Sequence, residues 1–489
     1  MKLTDLVEKL DYELVYGSLD KDIETLVYDS RKAKEGSVFV AMVGAKSDAH
    51  KFLPGVLENK ASAVVVEYVP EDLELNDVTT VIKVKNSRLA LAILSAAYFG
   101  YPADKLKTIG ITGTKGKTTT TYMVKQILEN AGIKTGLIGT IETIIGEEHI
   151  PSVNTTPESY IVQEYFRKMV DAGLDCVIME VSSQALKLNR VGGFIFDYGI
   201  FTNLSPDHIG PAEHESFEDY LYCKSLLFRA CKHGIFNADD EHLEKILEGH
   251  TCTVETYGLS EGADLRASDL KLYTEDGVMG ISYKLSGILN MDVKIDIPGR
   301  FSTYNSLTAI SICRHFGVSE EDIKNALVGI HVRGRVQMVN VSKDFTIMVD
   351  YAHNAMSLQS LLETLREYNP KRLVCLFGCG GNRSRDRRFE MGEISSKLAD
   401  LTIATSDNPR FEEPEDILND VVTGIKKADG EYVTIIDRYE AIEYALKNAL
   451  PGDVIVVAGK GHEDYQEIRG VKHHMDDVEM IKKAAKAVL

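Results

Sequence analysis

Short apolar runs alternating with stretches of helical period divide the chain into three blocks. In residues 1–105, "SVFVAM" (37–42) and "ASAVVVE" (61–67) read as strands. "SRLALAILSAAYFG" (87–100) spaces its apolar residues as a helix does and stops near Gly100 and Pro102. The opening "MKLTDLVEKLDYEL" has the same helical spacing. In residues 106–333, "KTIGITG" (107–113), "DCVIMEVS" (175–182) and "YGIFTNLS" (198–205) read as buried strands separated by polar or glycine-containing segments. The alternation in "GVMGISYKL" (277–285) and "VKIDIPG" (293–299) predicts an antiparallel addition. In residues 334–489, "FTIMVD", "RLVCLFG", "LTIATS", "VTIID" and "DVIVVAG" alternate with helical patterns. The pattern predicts a three-domain α/β protein: a smaller N-terminal domain, a central mostly parallel sheet with helices, and a Rossmann-like C-terminal domain.

Ligands of open α/β sheets gather beyond the carboxyl ends of the strands. In the third block those ends lead into "YAHN", "CGGNRSRDRR", "DNPR" and "KGHE". Four polar segments are therefore expected to share one rim.

Composition adds constraints rather than chemistry. The 489 residues are 44% hydrophobic and 26% charged, as in ordinary globular proteins. A net charge of −19 argues against a broad nucleic-acid or acidic-membrane surface, so anions are expected at small local cationic sites. No apolar run approaches the roughly 20 residues of a membrane helix, and no signal-peptide core is seen. The seven cysteines are dispersed, and Cys375 and Cys379 lack common zinc-site spacing. They read as reduced core thiols of a cytoplasmic protein. A monomer with no membrane insertion and no nucleic-acid partner is expected.

"GITGTKGKTTTTYM" (110–123) joins a strand to a helix. Glycines let backbone N–H groups face phosphate oxygens, and the helix N-terminus adds positive potential. The pattern is the shorter G-x-x-G-K-T-T form, because Ile111 stands where the longer loop has glycine. Gly113, Thr114, Lys115, Gly116, Lys117, Thr118 and Thr119 are thus candidate ATP contacts. Lys117 would reach the β- and γ-phosphates, and Thr118 would ligate Mg²⁺. The plainer reading is a glycine-rich strand–helix turn. Such a loop names a nucleotide, not a reaction.

The loop is followed in order by "NTTP" (154–157), "MEVSSQAL" (179–186), "TNLSPDH" (202–208), "NADD" (237–240), "PGRFSTYNSLTA" (298–309), "GR" (334–335), "DYAHN" (350–354) and "DNPR" (407–410). This series resembles the Mur ligases, ATP-dependent amide-forming enzymes of peptidoglycan assembly. "DSR" (29–31) with "DNPR" and "GKGHE" resembles the branch that adds an amino acid to UDP-N-acetylmuramoyl-dipeptide. The resemblance implies that residues 1–105 bind the UDP-substrate, 106–333 bind ATP and 334–489 bind the amino acid. It implies that a substrate carboxylate takes the γ-phosphate to give an acyl phosphate, which the incoming amine attacks. Lys117, His208 and Lys224 are then catalytic. Thr118, Glu180, His208 and a carbamylated Lys224 are implied metal ligands. Asn305, Arg335 and Asp350 would hold the nucleoside. Ser30, Asn154, Thr155, Thr156, Ser182 and Arg190 would hold the UDP-substrate. Gln184 and Leu188 depart from the family pattern, which often has histidine and glutamine there.

On isolated residues, plainer readings compete. Glu180 would be a strand-end carboxylate, His208 a core histidine, Lys224 a solvated helix charge, Asn305 a helix cap and Arg335 a salt-bridge partner. Arg410 would pair with Glu412, Glu413 or a neighbouring helix, and Arg383, Arg385, Arg387 and Arg388 would form a solvated face.

The family contacts to the amino acid fall on Arg383, Asp407, Asn408, Pro409, Arg410, Gly459 and Glu463. Meso-diaminopimelate carries a carboxylate beside its distal ammonium where lysine carries only the ammonium. A guanidinium donates two parallel hydrogen bonds to a carboxylate. Losing one partner of such a desolvated pair costs about 2–5 kcal/mol, tens- to thousands-fold in selectivity. The resemblance of "DNPR" therefore implies meso-diaminopimelate. "DHIGPAEH" (207–214) looks closer to lysine-adding relatives, which leaves L-lysine as the alternative. A folylpolyglutamate-type ligase and a non-enzymatic nucleotide switch remain more distant alternatives.

Overall fold

The computed structural model describes residues 1–44, 47–207, 209–210 and 213–488. They form two compact units. The first comprises Met1–Gly262 with Ser311–Gly317, and the second Ala263–Ile310 with Val318–Leu489. The fold class is α/β, as the alternation of strand and helix patterns requires.

The first unit holds two sheets. The smaller has the order Glu13–Tyr16, Thr80–Lys83, Ala63–Val66, Ser37–Val40, Thr25–Val27, with only the first pair antiparallel. The expected strands and the helix Ser87–Tyr98 are present, the helix capped by the Asn86 side chain. The opening segment differs from its helical spacing: the helix ends at Leu6, and Glu13–Tyr16 is an exposed edge strand. Pairing with Thr80–Lys83 satisfies that backbone better than a short isolated helix would.

The larger sheet runs Thr253–Gly258, Cys231–Asn237, Phe196–Phe201, Lys107–Thr112, Cys176–Glu180, Thr135–Ile138, all parallel, followed by the antiparallel Glu142–Ile145 and Glu148–Pro151. Lys107–Thr112 and Cys176–Glu180 are central and almost wholly buried, which explains their continuous apolar runs.

In the second unit, Leu265–Glu275, Val278–Gly287 and Met291–Ile295 form the expected antiparallel group. The last strand stops three residues before Pro298, earlier than its pattern suggested. A six-stranded sheet follows, ordered Gln337–Met338, Thr346–Asp350, Asp453–Ala458, Arg372–Cys379, Leu401–Ser406, Tyr432–Thr434, parallel except for the first pair. Successive residues alternate between two cores: Leu373, Cys375 and Phe377 enter one, Val374 and Leu376 the other. Helices therefore cover both faces, and the functional segments are left to the strand ends. All seven cysteines are free and buried. Among the described residues, no helix is long and apolar enough to cross a membrane.

Candidate active site

The glycine-rich loop leaves the Lys107–Thr112 strand and enters the Lys117–Asn130 helix, with Gly116 in the left-handed region at its N-cap. Gly113 has φ +150°, and a Cβ there would lie 1.9 Å from Thr202 Oγ1. Only glycine fits. The "TN" of residues 202–203 braces the loop from the next strand. Asn203 O accepts from Thr114 N at 2.8 Å, Asn203 Oδ1 from Lys115 N at 2.9 Å, and Thr202 Oγ1 donates to Lys115 O at 2.8 Å. Thr119 lies half-buried in the first turn of the helix.

Two lysines meet at one backbone oxygen. Lys117 Nζ donates to Gly113 O at 2.8 Å and to Thr114 O at 3.1 Å, and Lys224 Nζ donates to Gly113 O at 2.9 Å. Lys224 is 2% exposed, so it is not a solvated helix charge. Burial, with the Lys117 ammonium second, pushes its pKa well below the usual lysine range. His208 lies outside the described residues, as does part of "DHIGPAEH".

Glu180 ends the Cys176–Glu180 strand and is 1% exposed. Its carboxylate accepts from Thr118 Oγ1 and Thr140 Oγ1, each at 3.0 Å, and from Thr140 N at 2.8 Å. Thr140 Oγ1 is also 3.1 Å from Thr155 Oγ1. Thr156 Oγ1 donates to Glu180 O at 2.9 Å and accepts from Ser182 N at 3.0 Å, while Arg190 Nη1 donates to Thr156 O at 3.1 Å. The structure thus brings Thr118, Glu180, Thr155, Thr156, Ser182 and Arg190 into one connected set. Asn154 is exposed beside it. Ser30 opens a separate 3-10 turn, and Tyr28 just before it packs on Tyr160 with ring centroids 5.7 Å apart. Two buried N–H donors at the set lack a hydrogen-bond partner among the described residues: Gln184 Nε2 beside it, and Arg190 Nε, which has Glu158 Oε2 at 3.9 Å as an ion-pair neighbour. They suit a ligand rich in oxygen.

The second unit carries its candidates on the strand-end rim. Asp350 ends its strand and accepts from Val336 N and Ala352 N, both at 2.8 Å. Burial raises its pKa above the ordinary carboxyl value, against the pull of Arg335. The Arg335 guanidinium sits 4.9 Å from the Tyr351 ring centroid, and its Nε is buried without a partner among the described residues. Asn305 is half-buried inside the helix Arg300–Arg314.

Arg410 is held on both edges, though not by Glu412 or Glu413. Its Nε donates to Glu467 Oε2 at 3.2 Å and its Nη1 to Gly381 O at 2.8 Å. Glu412 instead takes Arg388, and Glu413 takes Arg469. Arg410 has φ +54°, fixed by backbone bonds to the hairpin strand Tyr465–Ile468: Arg410 N donates to Glu467 O at 3.0 Å. Gly381 permits the close approach, since a Cβ there would lie 1.9 Å from Pro409 O. A Cβ on Gly380 would stand 2.9 Å from Arg410 Nη1 and 3.8 Å from Arg383 Cγ, so both arginines flank that glycine. Arg383 is exposed, whereas Arg388 is 2% exposed and pairs with Asp420 and Glu412. The arginine cluster is therefore not one solvated face.

Asn408 knits the rim together. Its Nδ2 donates to Glu463 Oε2 at 2.9 Å, and its Oδ1 accepts from Glu467 N at 2.9 Å and Lys460 Nζ at 3.2 Å. Lys460 is fully buried and also 3.2 Å from Glu463 Oε2. Gly459 N donates to Asp350 O at 3.0 Å, and its Cβ position is 3.1 Å from Asp407 Oδ2. The expected common rim of "YAHN", "CGGN", "DNPR" and "KGHE" is present.

Sequence reasoning missed Thr140, Lys460 and Glu467. Lys460 was signalled by its place between the two glycines of "GKGHE". Glu467 follows that motif in a hairpin whose register only the fold reveals.

A family model described as the Mur ligase middle domain matches residues 111–313, and one described as the Mur ligase, glutamate ligase domain matches 334–461. The chain is 43% identical to the UDP-N-acetylmuramoyl-L-alanyl-D-glutamate–2,6-diaminopimelate ligase 1 of Clostridium acetobutylicum, covering 98% of each. It is 42% identical to the corresponding ligase of Clostridium tetani, covering 99% of each. A solved structure titled as a UDP-N-acetylmuramoyl-L-alanyl-D-glutamate–2,6-diaminopimelate ligase superposes with a TM-score of 0.76 at 27% identity, covering 100% of this chain and 99% of that one. Matched from end to end by ligases of this kind, the chain belongs to the Mur ligase family.

Proposed function

We propose that this chain is an ATP-dependent ligase that adds meso-diaminopimelate to UDP-N-acetylmuramoyl-L-alanyl-D-glutamate, in the cytoplasm, during peptidoglycan synthesis. The observation that carries this reading is the match to diaminopimelate ligases over essentially the whole length at 41–43% identity. The site geometry supports it at both ends of the reaction.

The γ-phosphate of ATP is transferred to the substrate carboxylate, giving ADP and an acyl phosphate. The amine of diaminopimelate attacks the acyl carbon, a tetrahedral intermediate forms, and phosphate leaves as the amide is made. Two anions must approach each other in the first step, so fixed positive charge is required. Lys117 at the helix N-terminus supplies it, where the terminus itself adds positive potential. Thr155, Thr156, Ser182 and Arg190 hold the UDP-dipeptide, with Asn154 and Ser30 as further contacts. The buried Gln184 Nε2, without a hydrogen-bond partner among the described residues, supports an oxygen-rich ligand there. Asn305, Arg335 and Asp350 take the nucleoside.

Mg²⁺ fits the donor set, because Thr118 in the first helical turn and Glu180 at the strand end offer hard oxygens 3.0 Å apart. Those residues, with His208 and a carbamylated Lys224, would hold it, and it would supply charge neutralisation to the phosphates. Lys224 meets the condition for CO₂ addition, a neutral amine favoured by burial. Arg383 and Arg410 receive carboxylate, Glu463 stands on the ammonium side of the site, and Asp407–Pro409 with Gly459 shape the turn.

The test is a coupled assay with ATP, UDP-muramoyl-dipeptide and either diaminopimelate or L-lysine, with the product identified by mass. Phosphate release should require dipeptide and diaminopimelate together, with lysine used at least about tenfold less efficiently. Equal kcat/KM for the two amino acids would remove the specificity claim, and release without either would remove the ligase claim.

A further inference from the structure

We propose that Glu467 is a specificity-determining residue that makes the Arg410 site select a zwitterionic side-chain terminus by charge balance. This deepens the ligase reading above and rests on it.

Arg410 does not present a bare positive charge. Glu467 Oε2 lies 3.2 Å from its Nε, and the two side chains retain 21% and 25% of their surface. The pair is neutral as it stands and faces solvent together. The neighbouring charges are paired as well. Lys460 offsets Glu463 at 3.2 Å and lies 3.8 Å from Asp407, while Glu412 pairs with Arg388 and Glu413 with Arg469. Glu463, already bonded by Lys460 and Asn408, is less available than its motif position suggests.

Charge balance then sets the preference. A terminus bearing only a carboxylate would bind Arg410 but leave Glu467 uncompensated, a net negative site. A terminus bearing only an ammonium would leave a net positive one. A terminus bearing both, as in meso-diaminopimelate, restores neutrality, with carboxylate on Arg410 and ammonium toward Glu467. In a partly desolvated site an uncompensated charge is costly. Glu467 is well placed for this because its backbone is fixed: its N–H donates to Asn408 Oδ1 at 2.9 Å and its carbonyl accepts from Arg410 N at 3.0 Å.

The experiment compares meso-diaminopimelate, 2-aminopimelate (which lacks the distal ammonium) and L-lysine in the wild type and in Glu467→Gln. Glutamine keeps an acceptor for Arg410 Nε while removing the charge. The wild type should prefer diaminopimelate over 2-aminopimelate by at least about tenfold in kcat/KM. In the variant that ratio should fall by at least about tenfold, with the KM for UDP-dipeptide unchanged. A wild type that uses 2-aminopimelate as well as diaminopimelate overturns the inference without any variant. A change in ratio of less than about threefold in Glu467→Gln overturns it too, because a merely positioning role would lower both substrates together. A wild type that ligates none of the three amino acids would instead refute the ligase reading.

Discussion

At Gly113 O two lysine side chains converge, Lys117 and Lys224. Burial, with the Lys117 ammonium second, lowers the pKa of Lys224 well below the usual lysine range. Lys224→Ala should therefore reduce ligation by at least about a hundredfold, the scale of a lost electrostatic group at a transferring phosphoryl centre. A short carboxylic acid in the assay should restore part of the rate, by standing in for the carboxylate that CO₂ addition would supply. Unchanged turnover without rescue would exclude the modification. Little of this was legible along the chain. "YLYCKSLLF" shows a lysine in a helical pattern, and the pattern says nothing of the carbonyl 111 residues away that receives it. The glycine-rich strand–helix loop holding Gly113, Lys117 and Thr118 was legible because such a turn imposes residue type and spacing together.

Among elements, His214 is a staple. Both ring nitrogens are engaged, Nε2 with Ser183 Oγ at 2.8 Å and Nδ1 with Asp219 Oδ2 at 2.9 Å, and the ring is fully buried. It ties the Ser183–Lys187 helix, which follows Glu180 and Ser182, to the Phe217–Ser225 helix that carries Lys224. Asp219 also accepts from Lys187 at 2.7 Å. Its burial alone would raise its pKa, but the bonds from Lys187 and His214 outweigh that and lower it from 3.8 to about 2. A carboxylate with a depressed folded pKa contributes stability that is fully present above its unfolded value and lost on acidification. The Tm of the wild type should thus exceed that of Asp219→Asn above about pH 4, and the gap should close toward pH 2. A gap independent of pH would show that the charge is not what holds the staple. The strands around these helices were readable from apolar runs, since two-sided burial leaves little room for polar residues. The hairpin Tyr465–Ile468 with Val471–His474 was not, because its residues are largely exposed and its role is to grip Arg410 through backbone pairing.

Over the whole molecule, the α/β alternation and the antiparallel insertion were legible, but the chain's return to the first unit was not. Ser311–Gly317 belongs there although the residues on either side belong to the second unit. Ile312 and Cys313 are completely buried, and Arg314 and His315 both engage Glu255. Burial of one isoleucine contributes about 1.5–3 kcal/mol. A chain ended at Gly262 should accordingly melt below the first unit of the full-length protein, and appending residues 311–317 through a short linker should recover part of the loss. Identical melting with and without the segment would show that it is dispensable. The seven-residue return also bears on how such a protein can change over evolutionary time. A single recombination junction placed between the two units would strip one of them of a piece it needs. Exchange of either half with a foreign gene must therefore preserve three crossing points at once, or inherit a matching helix end from the donor.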